Sequence, residues 1–170
     1  KGTSFVFYIP VTPAEETMLT MASFYDYCTK PKAPKMTASI VDDIKFNRDL
    51  LKIMLENEGV EVHIAENGLE AVNIYKNNPG DFFDFILTDL QMPIMDGVTA
   101  SKEIRNFQKS QGRKEVDIYI ISGNCSETEI KECTDPSRGI GARDFLKKPV
   151  NNSMIKNIVR KKFKKQMSTI

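Results

Sequence analysis

Phe85-Ile86-Leu87-Thr88-Asp89-Leu90-Gln91-Met92-Pro93-Ile94-Met95-Asp96-Gly97 holds the decisive pattern of this chain. Phe85 to Leu87 are apolar and are bounded by polar residues and a proline, which predicts a short central strand ending at Thr88-Asp89. In an open parallel sheet the ligand site lies beyond the carboxyl ends of the strands, so Asp89 would stand at the rim of such a site. Taken alone, Asp89 reads better as a strand-terminating residue that caps a turn.

Two further acids shift that balance. Asp42-Asp43 follow Ala38-Ser39-Ile40-Val41, a second short apolar run, and a parallel sheet would bring both strand ends to one edge. Carboxylates about 4 Å apart repel by on the order of 4 kcal/mol at an effective dielectric of about 20, so a cluster of three calls for a cation. Oxygen ligands without Cys or His point to a hard ion such as Mg²⁺, with Mn²⁺ as an alternative. Two more strand-end signals follow: Ile118-Tyr119-Ile120-Ile121-Ser122 brings a hydroxyl, and Asp144-Phe145-Leu146-Lys147-Lys148-Pro149 brings an ammonium.

The ordered set Val41-Asp42-Asp43, Asp89 with Met92-Pro93 and Asp96-Gly97, Ser122, and Lys148-Pro149 resembles the receiver domain of two-component response regulators, over about Met36 to Met167. The resemblance implies an α/β fold: a doubly wound, flavodoxin-like sheet of five parallel strands in the order 2-1-3-4-5 with helices on both faces. It also implies that Asp89 accepts a phosphoryl group from the phosphohistidine of a histidine kinase domain or a histidine phosphotransfer protein. Asp42, Asp43, Asp89 and the backbone carbonyl of Gln91 would hold the metal, and Lys148 would meet the phosphoryl oxygens. Ser122 and Phe145 would form a switch, in which the hydroxyl swings to the new oxygens and the ring turns inward. Gln91 and Asn124 occupy the positions that tune phosphate lifetime, and the Lys148–Pro149 peptide is expected to be cis. A pseudo-receiver, an interaction module that is not phosphorylated, is the alternative; such proteins usually lose an acid or the lysine.

Upstream, Gly2-Thr3-Ser4-Phe5-Val6-Phe7-Tyr8-Ile9-Pro10 alternates like a strand and resembles the last strand of the ATP-binding domain of a histidine kinase. Residues 1–11 are therefore expected to be a remnant of that domain, 12–35 a linker marked by Pro13, Pro31 and Pro34, and 36–170 the receiver, with a hybrid histidine kinase as parent. Downstream of Met36, short apolar strands alternate with helical patterns, the mark of a parallel sheet. Leu50, Leu51, Met54 and Leu55 share a helix face that should end at Gly59. Asn67 and Ser126 head capping boxes with Glu70 and Glu129, and Asn151 or Asn152 caps the last helix. That helix turns Ile155, Ile158, Val159 and Phe163 inward and Lys156, Arg160, Lys161, Lys162, Lys164 and Lys165 outward. Cys133 to Gly141 reads as a mobile loop, longer than usual for the family, that helps to choose the partner.

The remaining features exclude other classes. A net charge of +1 is too small for a general nucleic-acid binder, and the basic last helix complements its own dipole. No run of eighteen apolar residues and no charged-then-apolar leader is present, so a cytoplasmic location without membrane insertion is expected. Cys28, Cys125 and Cys133 lack metal-ligand spacing and read as free thiols. His63, mid-strand in Val62-His63-Ile64, is expected at the surface and suits neither a catalytic triad nor a phosphohistidine donor. The chain should therefore receive its phosphoryl group in trans.

Overall fold

The computed structural model describes residues 36–123, 126–135 and 140–167, all within the second of two units into which the chain divides, Pro34–Ile170. The remnant strand and linker expected over residues 1–35, and Asn124, lie outside the described residues. Strands and helices alternate: β1 Thr37–Val41, α1 Lys45–Glu56, β2 Glu61–Ala65, α2 Gly68–Asn77, β3 Phe85–Asp89, α3 Gly97–Ser110, β4 Asp117–Ser122, α4 Glu127–Thr134, β5 Asp144–Lys147 and α5 Asn152–Met167. The strands pair in parallel in the order β2-β1-β3-β4-β5. This is the doubly wound arrangement expected from the sequence.

Period-two alternation sorts the strand residues between two cores. Ala38, Ile40, Phe85, Leu87, Tyr119 and Ile121 face Leu51 and Leu55 of α1 and Ile155, Ile158 and Val159 of α5. Val41, Ile86, Ile118 and Ile120 face Ala71, Val72 and Tyr75 of α2, Ala100 and Ile104 of α3, and Cys133 of α4. Because both faces are covered, β1 and β3 are buried throughout, which is why they read as continuous apolar runs.

Local chemistry sets the helix ends. Gly59 takes φ +78 beyond α1, the left-handed turn a glycine adopts without steric cost. The Asn67 side chain accepts the Glu70 N–H at 2.9 Å, while the Glu70 carboxylate accepts the N–H of Glu66, one residue ahead of the cap. Asp96 accepts the Thr99 N–H at 2.7 Å to start α3, and Asn151, rather than Asn152, caps α5 by accepting from Met154.

Four expectations are corrected, the first being Phe163, which is exposed on α5 rather than turned inward. Lys162 is not on the solvated face of α5: only 14% of its side chain is exposed, and its ammonium pairs with Asp117 at 2.7 Å. The segment from Cys133 to Gly141 is not a loop throughout, since Cys133 and Thr134 close α4 and Cys133 and Ile140 are buried core residues. His63 is half-buried, with the Phe82 and Phe83 rings set edge-on to its imidazole at 5.1 and 5.5 Å. The two rings give it edge-to-face contact, while its Nε2 has Glu61 at 3.5 Å and no hydrogen bond in the described structure.

Among the described glycines, Gly97 has the least room for a side chain. A Cβ there would lie 2.0 Å from the Asp89 carbonyl oxygen and 2.9 Å from Thr88 Oγ1. Gly97→Ala is therefore expected to push α3 away from β3 and lower stability by roughly 1–3 kcal/mol, measured as a lower urea midpoint at unchanged slope.

Candidate functional site

Parallel register brings the chemistry to one edge. Val41 stands level with Thr88, Asp89 with Ile121, and Ser122 with Lys147. Asp42 therefore follows the last residue of β1, Asp89 ends β3, Ser122 ends β4 and Lys148 follows β5. Carboxylate oxygens of Asp42, Asp43 and Asp89 all lie within 4.8 Å of one another. The Lys148 ammonium reaches Asp89 Oδ2 at 2.5 Å and Asp42 Oδ2 at 3.0 Å.

The three acids are held differently. Asp42, 1% exposed, accepts the Ile44 N–H at 2.8 Å and both bonds of the Asn47 amide, at 3.0 and 3.1 Å, besides Lys148. Behind it the buried Arg48 donates to the Asp42 carbonyl at 2.7 Å and pairs with Glu66 at 2.6 Å. Asp43 is exposed. Asp89 is 8% exposed, and its side chain opens onto the same rim. Asn47 and Arg48 were missed by sequence reasoning, because polar residues in the first turn of an amphipathic helix look like any solvated start. The spacing of five and six residues after Asp42 is the only signal, and it becomes meaningful only once α1 turns back over β1.

Charge is unbalanced here. Burial, helped by the neighbouring Asp42, raises the Asp89 pKa above the usual carboxylate value despite the Lys148 bond. Burial pulls Lys148 the other way from its partners, but its bonds to Asp89 and Asp42 prevail and its pKa is raised. Both directions follow from two buried carboxylates sharing one ammonium. Oxygen donors alone, clustered and carrying excess negative charge, fit a hard divalent cation.

The other expected residues fall around this centre. The Ser122 carbonyl accepts the Lys148 N–H at 2.8 Å, which fixes the lysine backbone against the end of β4. The Lys148–Pro149 peptide is cis. Phe145 is half-buried, against the core on the α2–α4 face. Gln91 is exposed in the loop after β3.

A family profile described as the response regulator receiver domain matches residues 38–160. The chain belongs to the response regulator receiver family. Two-component response regulator 24 of Arabidopsis thaliana is 33% identical over 127 residues, covering 75% of this chain and 84% of that protein. Hybrid signal transduction histidine kinase L of Dictyostelium discoideum is 34% identical over 122 residues, 72% of this chain, and the receiver spans only 7% of that protein's length. A solved structure of the Saccharomyces cerevisiae histidine phosphotransfer signaling protein Ypd1 with the receiver domain of its downstream response regulator Ssk1 matches with a TM-score of 0.69. It is 29% identical, and the match covers 80% of this chain and 94% of that one. The protein is thus a receiver of two-component signalling, and none of its described helices is long and apolar enough to cross a membrane.

The charge imbalance sets a pH dependence for the metal-free receiver. A carboxyl whose folded pKa is raised binds protons more tightly folded than unfolded. Its contribution to stability is therefore present below the ordinary carboxylate pKa and is lost as pH rises through the raised value. Lys148, also raised, keeps its contribution through neutral pH and loses it only in alkali. Asp89→Asn is expected to raise the melting temperature at neutral pH by roughly 2–5 °C, and the gain should vanish near about pH 3. Thermal scans in a metal chelator, read across pH, check both parts.

Proposed function

We propose that this receiver accepts a phosphoryl group on Asp89 from a protein phosphohistidine, with Mg²⁺ held by Asp43, Asp89, Asp42 and the Gln91 carbonyl. The observation that carries the reading is the shared Lys148 ammonium between a restrained Asp42 and a rim-facing Asp89. An Asp89 oxygen attacks phosphorus in line, the new O–P bond forms as the P–N bond to the donor imidazole breaks, and the imidazole leaves. Lys148 shifts from the carboxylate to the phosphoryl oxygens, where its charge meets the charge that develops. Bound Mg²⁺ supplies the rest of the charge neutralisation. Ser122 donates its hydroxyl to the product, and Phe145 moves into the space so vacated. Gln91 and Asn124, both amides, set how fast water removes the group.

The donor is a protein because the rim is apolar. Ile44, Phe46, Leu50 and Ile53 are 52%, 73%, 40% and 56% exposed along α1, and Ile94, five residues past Asp89, is 78% exposed. Phe46, Leu50 and Val150 also line a cleft of about 390 Å³ that reaches Asp42 and Lys148. Exposed apolar clusters of this kind mark protein docking surfaces, and the related Ssk1 receiver was solved with a histidine phosphotransfer protein. The hybrid kinases among the relatives support a hybrid histidine kinase as parent and a cytoplasmic receiver. Residues 1–11 would then be the closing strand of its ATP-binding domain and 12–35 the linker.

Incubation with acetyl phosphate and Mg²⁺ should add one phosphoryl group by mass spectrometry, placed at Asp89 by peptide mapping. Undiminished labelling of Asp89→Asn would sink the assignment. Phe46→Asp should keep acetyl phosphate labelling unchanged while slowing transfer from a phosphorylated histidine phosphotransfer protein by roughly tenfold or more; equal slowing of both would place Phe46 in the fold rather than the docking face.

A further inference from the structure

One buried cation stands outside the phosphoryl chemistry. Arg105 of α3 is 4% exposed, and every bond its guanidinium makes in the described structure goes to a neutral acceptor. Nε donates to the Ile140 carbonyl at 3.0 Å, Nη2 to the Gly141 carbonyl at 3.3 Å and Nη1 to Gln108 Oε1 at 2.7 Å. Gln108, also buried, donates to Tyr75 Oη at 2.7 Å and to the Lys114 carbonyl at 2.9 Å, which fixes its amide with the oxygen toward Arg105. Burial lowers the Arg105 pKa, against the more distant charges of Glu115 and Asp117. An apolar side chain of similar volume would fill this space at less cost. What a guanidinium does that such a side chain cannot is bond two successive carbonyls at once.

Those carbonyls lie where the chain turns into β5. Gly141 takes φ +51; Ala142 then donates to the Cys133 carbonyl and Arg143 to the Ile118 carbonyl, at 3.0 and 2.7 Å. β5 has four residues and, among the described strands, pairs with β4 alone at the edge of the sheet. Lys148 follows its last residue. The opposite end of the arrangement is the acceptor strand: Gly97, the first residue of α3, donates to the Leu90 carbonyl at 3.0 Å and packs directly on the Asp89 carbonyl. Arg105 lies eight residues along the same helix, about 12 Å of rise. One rigid helix thus touches both the strand of Asp89 and the start of the strand that carries Lys148.

We propose that Arg105 is a positioning residue for phosphoryl transfer: it ties the segment leading into β5, and through that strand Lys148, to the helix whose first residue, Gly97, packs on the Asp89 carbonyl. The inference rests on the roles proposed above for Asp89 and Lys148. The acids stand at the ends of β1 and β3, to neither of which Arg105 hydrogen-bonds in the described structure, so loss of the tie should spare metal binding and disturb mainly the ammonium.

The test compares the full chain with Arg105→Met and Arg105→Lys. Arg105→Met is expected to label Asp89 from acetyl phosphate roughly tenfold more slowly, with Mg²⁺ affinity and acetyl phosphate KM unchanged and the Lys148 ammonium NMR signal shifted. Arg105→Lys, which retains one donor to the carbonyls, should fall between. A folded Arg105→Met with wild-type labelling and an unmoved Lys148 signal overturns the proposal. Should both variants unfold, the wild type decides: on adding Mg²⁺ and beryllofluoride, the Arg105 Nε–H signal should shift in step with that of Lys148, and a stationary Arg105 signal overturns it. Failure of the wild type to label at Asp89 would instead remove the reading on which the proposal rests.

Discussion

Two buried carboxylates face one ammonium at the carboxyl edge of the sheet, and much of the local structure serves to keep that imbalance in place. Asp42 and Asp89 bond the same Lys148, and Asp43 adds a third negative group within 4.8 Å. Left to themselves, such acids would separate or take up protons. The fold prevents separation by fixing them at the ends of β1 and β3 in one sheet. In the function proposed above, that residual charge would make the site receptive to a divalent cation and, with the cation present, to an incoming phosphoryl group.

The acids divide the work because their surroundings differ. Asn47, the Ile44 N–H and Lys148 occupy the oxygens of Asp42, and Arg48 holds its carbonyl from behind. That carboxylate is a fixture. The Asp89 carboxylate is held by Lys148, and Gly97 lets the start of α3 clasp its backbone. In the reaction proposed above, a nucleophile so held would need little rearrangement to react. The apolar rim of Ile44, Phe46, Leu50 and Ile94 complements this, since a protein donor seated there would exclude water from the transfer.

The buried polar network under α3 is of another kind. Arg105, Gln108 and Tyr75 join α2, α3 and the start of β5 through neutral acceptors, and the Gln108 bond to the Lys114 carbonyl fastens the turn before β4. Satisfied networks of this sort rigidify a core and fix one arrangement of its elements. The ends of the segment expected to be a mobile loop are held here, Ile140 by Arg105 and Ala142 by Cys133.

By itself the sequence determined the strands, their ends and the acids on them. Period and run length distinguish buried parallel strands from helices, and Asp42, Asp43, Asp89, Ser122 and Lys148 mark where those strands stop. Strand order and family followed from that ordered set. Local capping was legible too, at Asn67 and Gly59, because a cap and a left-handed turn depend on a few neighbouring residues. Tertiary structure alone decided that Lys148 bridges Asp42 and Asp89, which are 106 and 59 residues away along the chain. It also decided that Asn47 and Arg48 hold Asp42, that Lys162 pairs inward with Asp117, and that Arg105 is buried on the carbonyls of Ile140 and Gly141. At Arg48, Lys162 and Arg105 a long polar side chain reads in sequence as solvated surface. Its real environment is set by which distant backbone lies beneath it, and that depends on the packing of helices against a finished sheet.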